Sequence, residues 1–250
     1  MKKLPYIISA LLLFSLPAAA FGAAGSPVTY TIDGQAYEGY YVSPADKAPF
    51  VFLIHDWDGL TDYEVKRADM LAELGYAVFA VDLFGAGVRP TEVKDKRQHT
   101  GELYKDRQRM RALMFGAMEW AEKKGAGVGN AVVMGYCFGG AAVLEFARAG
   151  ADAKAFVTFH GGLNTPKGQD YANTRGRILV FHGTADTAIP MDQFADLANE
   201  LEAAGVPHEM ITYGGAPHAF TVWGQDRYRK DADQKSWKRF VDFLETTLKE

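Results

Sequence analysis

Two hydrophobic periods run along this chain, and they divide it into strands and helices. Val28 to Ile32 and Gln35 to Ser43 are joined by Asp33-Gly34, which predicts an antiparallel hairpin on a type I′ turn. Phe50 to Ile54 and Tyr76 to Val81 are continuous apolar runs, the pattern of strands buried on both faces. Ala131 to Met134, Phe156 to Phe159 and Ile178 to Phe181 read the same way, and His208 to Tyr213 alternates like a half-buried strand. Helical spacing fills the intervals. One helix starts at Thr61 or Asp62 and runs to Leu74, where Gly75 ends it. Others cover Asp106 to Lys123, the alanine-rich stretch beyond Gly140, Pro190 to Ala204 stopped by Gly205, and Asp231 to Leu248. Residues 83 to 104 are charged and mixed, which predicts a loop plus a short helix over the site.

Strands that alternate with helices argue for one mostly parallel sheet with helices on both faces, preceded by the antiparallel hairpin. The chain shows no internal repeat and no linker, so residues 25–250 are expected to form a single α/β domain. Residues 1–24 read as a signal peptide: Lys2 and Lys3, an apolar run from Ile7 to Leu16, then small residues from Pro17 to Ala24. The run is short for a membrane span, and no later segment is long and apolar enough for one. An exported protein, periplasmic or secreted, is therefore expected, with no membrane partner once the leader is removed. The chain carries a net charge of −4, and loss of Lys2 and Lys3 makes it more acidic, a poor match to nucleic acid. A hydrophobic content of 48% suits a folded globule with a sizeable core. A monomer is expected.

Export sharpens the meaning of the single cysteine. Secreted proteins pair their cysteines, whereas Cys137 has no partner in the chain. It sits in Gly135-Tyr136-Cys137-Phe138-Gly139-Gly140, between an apolar strand and an apolar helix. Strand, Gly-x-nucleophile-x-Gly turn and helix together make a nucleophile elbow, here with Cys in place of Ser. A helix N-terminus favours a thiolate. In such folds an acid and a histidine follow the nucleophile in that order. Asp186 follows the strand ending at Phe181, and His218 follows the strand ending at Tyr213. Asp186 alone would read as a turn or capping residue, and His218 alone as a loop histidine. Their order and their places at strand ends point to a Cys137–His218–Asp186 triad.

The N–H of Phe138 and that of Trp57, in the loop after the Phe50–Ile54 strand, are the candidate oxyanion donors. Asp56 is then an acid beside the sulfur. Phe84, Arg89, Tyr104, Phe220 and Trp223 are candidate pocket walls. His55, His160 and His182 read as hydrogen-bonded supporting residues, His99 and His208 as exposed. The histidines lack metal-ligand spacing, so neither a metal nor a cofactor is expected.

Together these segments resemble the dienelactone hydrolase family of α/β-hydrolases. The resemblance rests on the elbow, on Gly183-x-x-Asp186, on Gly215-x-x-His218-x-Phe220 and on His55-Asp56-Trp57-Asp58-Gly59-Leu60. It implies Cys137, Asp186 and His218 as the triad and cleavage of a small ester or lactone through an acyl-enzyme. The family usually has Glu where Asp56 stands, an acid that holds and helps deprotonate the thiol. One carbon fewer makes the reach of Asp56 a question for the structure. Enzymes that act on the dienelactone itself use two arginines, at positions that here are Ala86 and Val222; Arg89 is a nearby substitute. Without a guanidinium fork a substrate carboxylate would be poorly paired, which favours neutral esters or lactones. A general carboxylesterase or thioesterase is the nearest alternative. A non-catalytic small-molecule binding protein is the rival of another class. A thiol-redox role would need a resolving cysteine that the chain lacks.

Overall fold

In the computed structural model, which describes residues 25–249, the chain builds one eight-stranded sheet flanked by helices. The expected signal peptide lies outside the described residues. Strands β1 (Ser26–Ile32) and β2 (Gln35–Val42) form the hairpin, and Asp33 and Gly34 both take positive φ, 49° and 79°, as a type I′ turn requires. β3 (Phe50–Ile54), β4 (Ala77–Val81), β5 (Ala131–Tyr136), β6 (Ala155–Phe159), β7 (Arg177–Gly183) and β8 (His208–Tyr213) are parallel to one another. The order across the sheet is β1-β2-β4-β3-β5-β6-β7-β8, with β2 antiparallel to β4.

The continuous apolar strands bury both faces, and alternation splits them between two cores. Phe50, Phe52 and Ile54 join a layer with Met110, Leu113 and Met114 of α3 (Arg107–Lys123) and Leu197 and Leu201 of α5 (Met191–Ala204). Val51 and Leu53 face the other way, onto α1 (Asp62–Glu73) and α6 (Lys230–Leu248) through Leu71, Phe240 and Leu244. This two-sided cover leaves the carboxyl ends of β3, β5, β7 and β8 free to carry loops, where sites in open α/β sheets are built. The charged stretch before residue 105 is more regular than its pattern suggests. It holds α2 (Val93–Lys105), 13 residues long, which buries only Thr100 and Leu103.

Behind the elbow, on α4 (Phe138–Arg148), stands a fully buried acid. Glu145 pairs with Arg107 at 2.8 Å, Arg111 at 2.6 Å and Arg148 at 2.9 Å. Burial alone would raise its carboxyl, but the hydrogen bonds and charges of Arg148 and Arg111 hold it below the usual range. A lowered carboxylate adds stability above the unfolded-chain pKa and loses it as pH falls through the folded value. The stability difference between the protein and its Glu145→Gln variant is therefore expected to shrink below about pH 4, where unfolded carboxylates protonate. Thermal melts of both proteins between neutral and acid pH check this; a constant difference would contradict it.

Candidate active site

The elbow places Cys137 where β5 turns into α4. Its φ is 48°, a conformation that side chains rarely take, and the turn holds it by Cys137 N–H to Phe159 C=O at 3.0 Å and Ala141 N–H to Cys137 C=O at 3.2 Å. Gly135 and Gly139 cross so closely that a Cβ on Gly135 would lie 2.4 Å from the Gly139 carbonyl carbon. Only glycine fits at these two positions of the turn.

Residues 81 positions apart meet at the sulfur. His218 Nε2 is 3.1 Å from Cys137 Sγ, and His218 Nδ1 is 2.8 Å from Asp186 Oδ2. Asp186 uses its two oxygens differently. Oδ1 accepts from the N–H groups of Ala188 and Ile189 at 2.9 and 2.8 Å, which fixes the loop after β7. Oδ2 is left for the imidazole. The turn reading and the triad reading of this aspartate thus describe two halves of one carboxylate. Burial raises the Asp186 carboxyl, but the His218 hydrogen bond and charge bring it below its ordinary value.

The surroundings of the thiol favour its neutral form. Burial, then the charge and hydrogen bond of Asp56, push Cys137 well above an ordinary thiol, while the Phe138 N–H and Arg227 act in the opposite direction. The helix N-terminus does not outweigh burial and the charge of Asp56, contrary to the thiolate expected from the motif. Asp56 stands beside Cys137 on the wall of one cavity, close enough that each shifts the ionisation of the other. Burial and the charge of Asp58 raise Asp56 to about 6, offset in part by hydrogen bonds with the Trp57 N–H and Cys137. Both candidate oxyanion donors are engaged in this resting arrangement. The Trp57 N–H donates to Asp56 Oδ1, and the Phe138 N–H faces the sulfur.

A cavity of about 360 Å³ opens above Cys137, Phe138 and His218. Tyr104 lines it, together with Arg97 and Thr100 of the same helix. Positions 97, 100 and 104 share one face of α2, and that spacing was the available signal for them. Trp57 and Asp56 form a second wall; Ile189 and Arg227 come from the loops after β7 and β8. Arg227 sits in a loop with no periodicity, and no sequence pattern marks it.

Four of the anticipated wall residues lie elsewhere. Phe84 packs on His55, Phe138 and His99 beneath the cavity. Phe220 is fully buried against His160 and Tyr213. Trp223 lies under the guanidinium of Arg67 and packs at a tilt against Tyr63. Arg89 turns the other way, donating to the Glu38 carbonyl at 3.0 Å and lying 3.6 Å from Asp82, so it does not substitute for an arginine at position 86. Val222 is buried. All four lie in loops beyond the ends of β4 and β8, where no strand period fixes which way a side chain turns. Among the supporting histidines, His55 donates from Nδ1 to the Asp56 carbonyl, and His160 shares a hydrogen bond with Thr221. Both ring nitrogens of His182 are buried without a protein partner, and His99 and His208 are half-buried rather than exposed.

The fold and this arrangement define an α/β-hydrolase with its reactive groups at the carboxyl ends of β3, β5, β7 and β8. The match to the family model described as "Dienelactone hydrolase family" covers residues 37–248. The chain belongs to that family. It is 26% identical over 225 residues to a Salmonella typhimurium protein provisionally named a carboxymethylenebutenolidase, covering 84% of this chain and 83% of that one. Among solved structures, a dienelactone hydrolase-like promiscuous phosphotriesterase from metagenomic libraries superposes with a TM-score of 0.83. It is 27% identical, over 90% of this chain and 99% of that one. The structure named m3DLH gives a TM-score of 0.85 at 29% identity, over 91% and 99%.

Proposed function

We propose that this chain is an exported hydrolase of small esters or lactones that works through a Cys137 acyl-enzyme. The observation that carries the reading is His218 standing between the thiol and a carboxylate at hydrogen-bond distance from both. In the first step His218 takes the thiol proton as Sγ attacks the ester carbonyl. The carbonyl oxygen becomes an oxyanion and takes the Trp57 and Phe138 N–H groups from their resting partners. The tetrahedral adduct collapses, the C–O bond to the alcohol breaks, and His218 returns the proton to the leaving oxygen. Water then attacks the thioester with His218 as base, releasing the acid and restoring the thiol. Asp186 holds the imidazole in the required tautomer throughout. The leader pattern and the unpaired thiol support export.

The substrate side of the reading departs from the neutral preference that Ala86 and Val222 suggested. Arg97 and Arg227 stand exposed at the cavity mouth, and neither forms an ion pair among the described residues. Two such guanidinium groups attract an ester that carries a second, anionic group away from the reacting carbonyl. A p-nitrophenyl ester of a dicarboxylic acid is expected to be cleaved with higher kcat/KM than its uncharged chain-length match. The preference should fall about tenfold in Arg97→Gln plus Arg227→Gln and weaken with added salt. Equal kcat/KM for the two esters in the unmodified protein would refute the anionic preference, and no turnover of either would refute the hydrolase.

A further inference from the structure

Glu64 is a fully buried acid at the third position of α1, outside the cavity and absent from the mechanism above. One of its oxygens makes an ordinary capping box. Oε2 accepts from the Thr61 N–H at 2.8 Å and from the Thr61 hydroxyl at 2.9 Å, while the Thr61 hydroxyl accepts from the Tyr63 N–H. The other oxygen does something a cap does not need. Oε1 reaches back eight residues and accepts the Asp56 N–H at 3.1 Å. One carboxyl thus ties both ends of the 56–61 loop together.

The remaining bonds of that loop complete the clamp. The Asp56 carbonyl accepts from His55 Nδ1 at 2.6 Å and from the Gly59 N–H at 3.3 Å. The next peptide carries the Trp57 N–H, which leaves no slack between the clamped atoms and the oxyanion donor. Burying an acid here is costly. Burial raises Glu64 to about 8 even though Thr61 and Asp56 donate to it, and a leucine would fill the helix face without that cost.

We propose that Glu64 is a positioning residue for the oxyanion site, holding the Asp56–Trp57 backbone where the Trp57 N–H meets the developing oxyanion. The proposal rests on the hydrolase reading of the same site. Glu64 touches neither substrate nor sulfur, so its loss acts on the transition state more than on substrate binding. A donor displaced by about 1 Å costs on the order of a hundredfold in rate.

Three variants separate this role from plain helix capping: Glu64→Leu, Glu64→Gln and Thr61→Val. Thr61→Val removes cap bonds yet leaves the Glu64–Asp56 bond; it is expected to lower the melting temperature with kcat on a short neutral p-nitrophenyl ester changed less than about twofold. Glu64→Leu is expected to lower kcat at least about tenfold with KM within about threefold. Glu64→Gln keeps one acceptor for the Asp56 N–H and should fall between, which is the rescue a merely structural acid would not show. Amide exchange, followed by mass spectrometry, should speed up across residues 55–60 in Glu64→Leu while β5 stays protected. Wild-type kcat in Glu64→Leu, an equal kcat loss in Thr61→Val, or unchanged exchange across 55–60 would each overturn the proposal. Absence of turnover by the unmodified protein would instead refute the hydrolase reading, and the exchange arm would still decide the clamp.

Discussion

Cys137→Ala protein is expected to lose ester turnover by a factor of about 1,000 or more, with its circular dichroism and melting temperature close to those of the parent. Removing a nucleophile that acts as a unit with its base abolishes most of the rate. The fold should survive, because alanine keeps the Cβ and so adds no strain beyond what cysteine already bears at a φ of 48°. Cys137 is half-buried and its sulfur lines the cavity beside His218, so its loss leaves a small gap at a cavity and not in the core. Turnover of p-nitrophenyl esters by both proteins, prepared as residues 25–250, is the measurement. Activity indifferent to the substitution would favour the non-catalytic binding protein on the same fold. Cys137→Ser offers a second reading, since His218 Nε2 stands close enough to serve a hydroxyl; weak but measurable turnover is expected, as an alcohol is harder to deprotonate than a thiol.

Gly139→Ala is expected to be among the most destabilising single-methyl additions available in this protein, by about 3 kcal/mol. A Cβ at position 139 would lie 2.3 Å from the Ile54 carbonyl oxygen and 2.5 Å from that of His55. Both are backbone atoms at the end of β3, and β3 lies in the middle of the sheet between β4 and β5. The methyl can be admitted only if α4 lifts off the strand ends, which would also carry Cys137 away from His218. Stability and activity should therefore fall together. Gly101→Ala is the control: it lies within α2, nothing stands within 4 Å of its Cβ, and replacement is expected to stabilise by about 0.5–1 kcal/mol through helix propensity. Urea denaturation of the two variants beside the parent checks both signs, and a Gly139→Ala protein as stable as the parent would show that the elbow has room this geometry denies.

How much of this was legible beforehand depended on whether the information was local. Phe50–Ile54 and Ala77–Val81 announced buried strands because a strand with helices on both faces has no polar side to show. The Asp33-Gly34 turn, the Thr61 cap and the Gly205 stop were legible because each is decided by the φ of one or two residues or by one side-chain bond. Cys137, Asp186 and His218 could be picked out because each follows a strand, and parallel strands deliver their ends to one edge. Helix α2 was underestimated, since it buries little and therefore carries a weak apolar period.

The pocket walls were legible only in part. Phe84, Phe220 and Trp223 have the residue type of a wall, but residue type does not say which way a loop turns its side chain. Arg97 and Arg227 reach the mouth from segments 130 residues apart, a pairing that no local pattern encodes. The upward shift of the thiol was equally hidden. It follows from the closeness of Asp56 and from burial, and both exist only after β3 and β5 have been placed side by side.

By itself, the sequence determined the order of strands and helices, the elbow and the three residues set at strand ends. These follow from periodicity, glycine conformation and chain order, which act over a few residues. The tertiary structure alone decided the 3.1 Å contact of His218 with the thiol, the closeness of Asp56 to Cys137 across one cavity and the bond from the Asp56 N–H to Glu64. Hydrogen bonds and desolvation act over a few ångströms between atoms far apart in the chain, and only the packed sheet sets those distances.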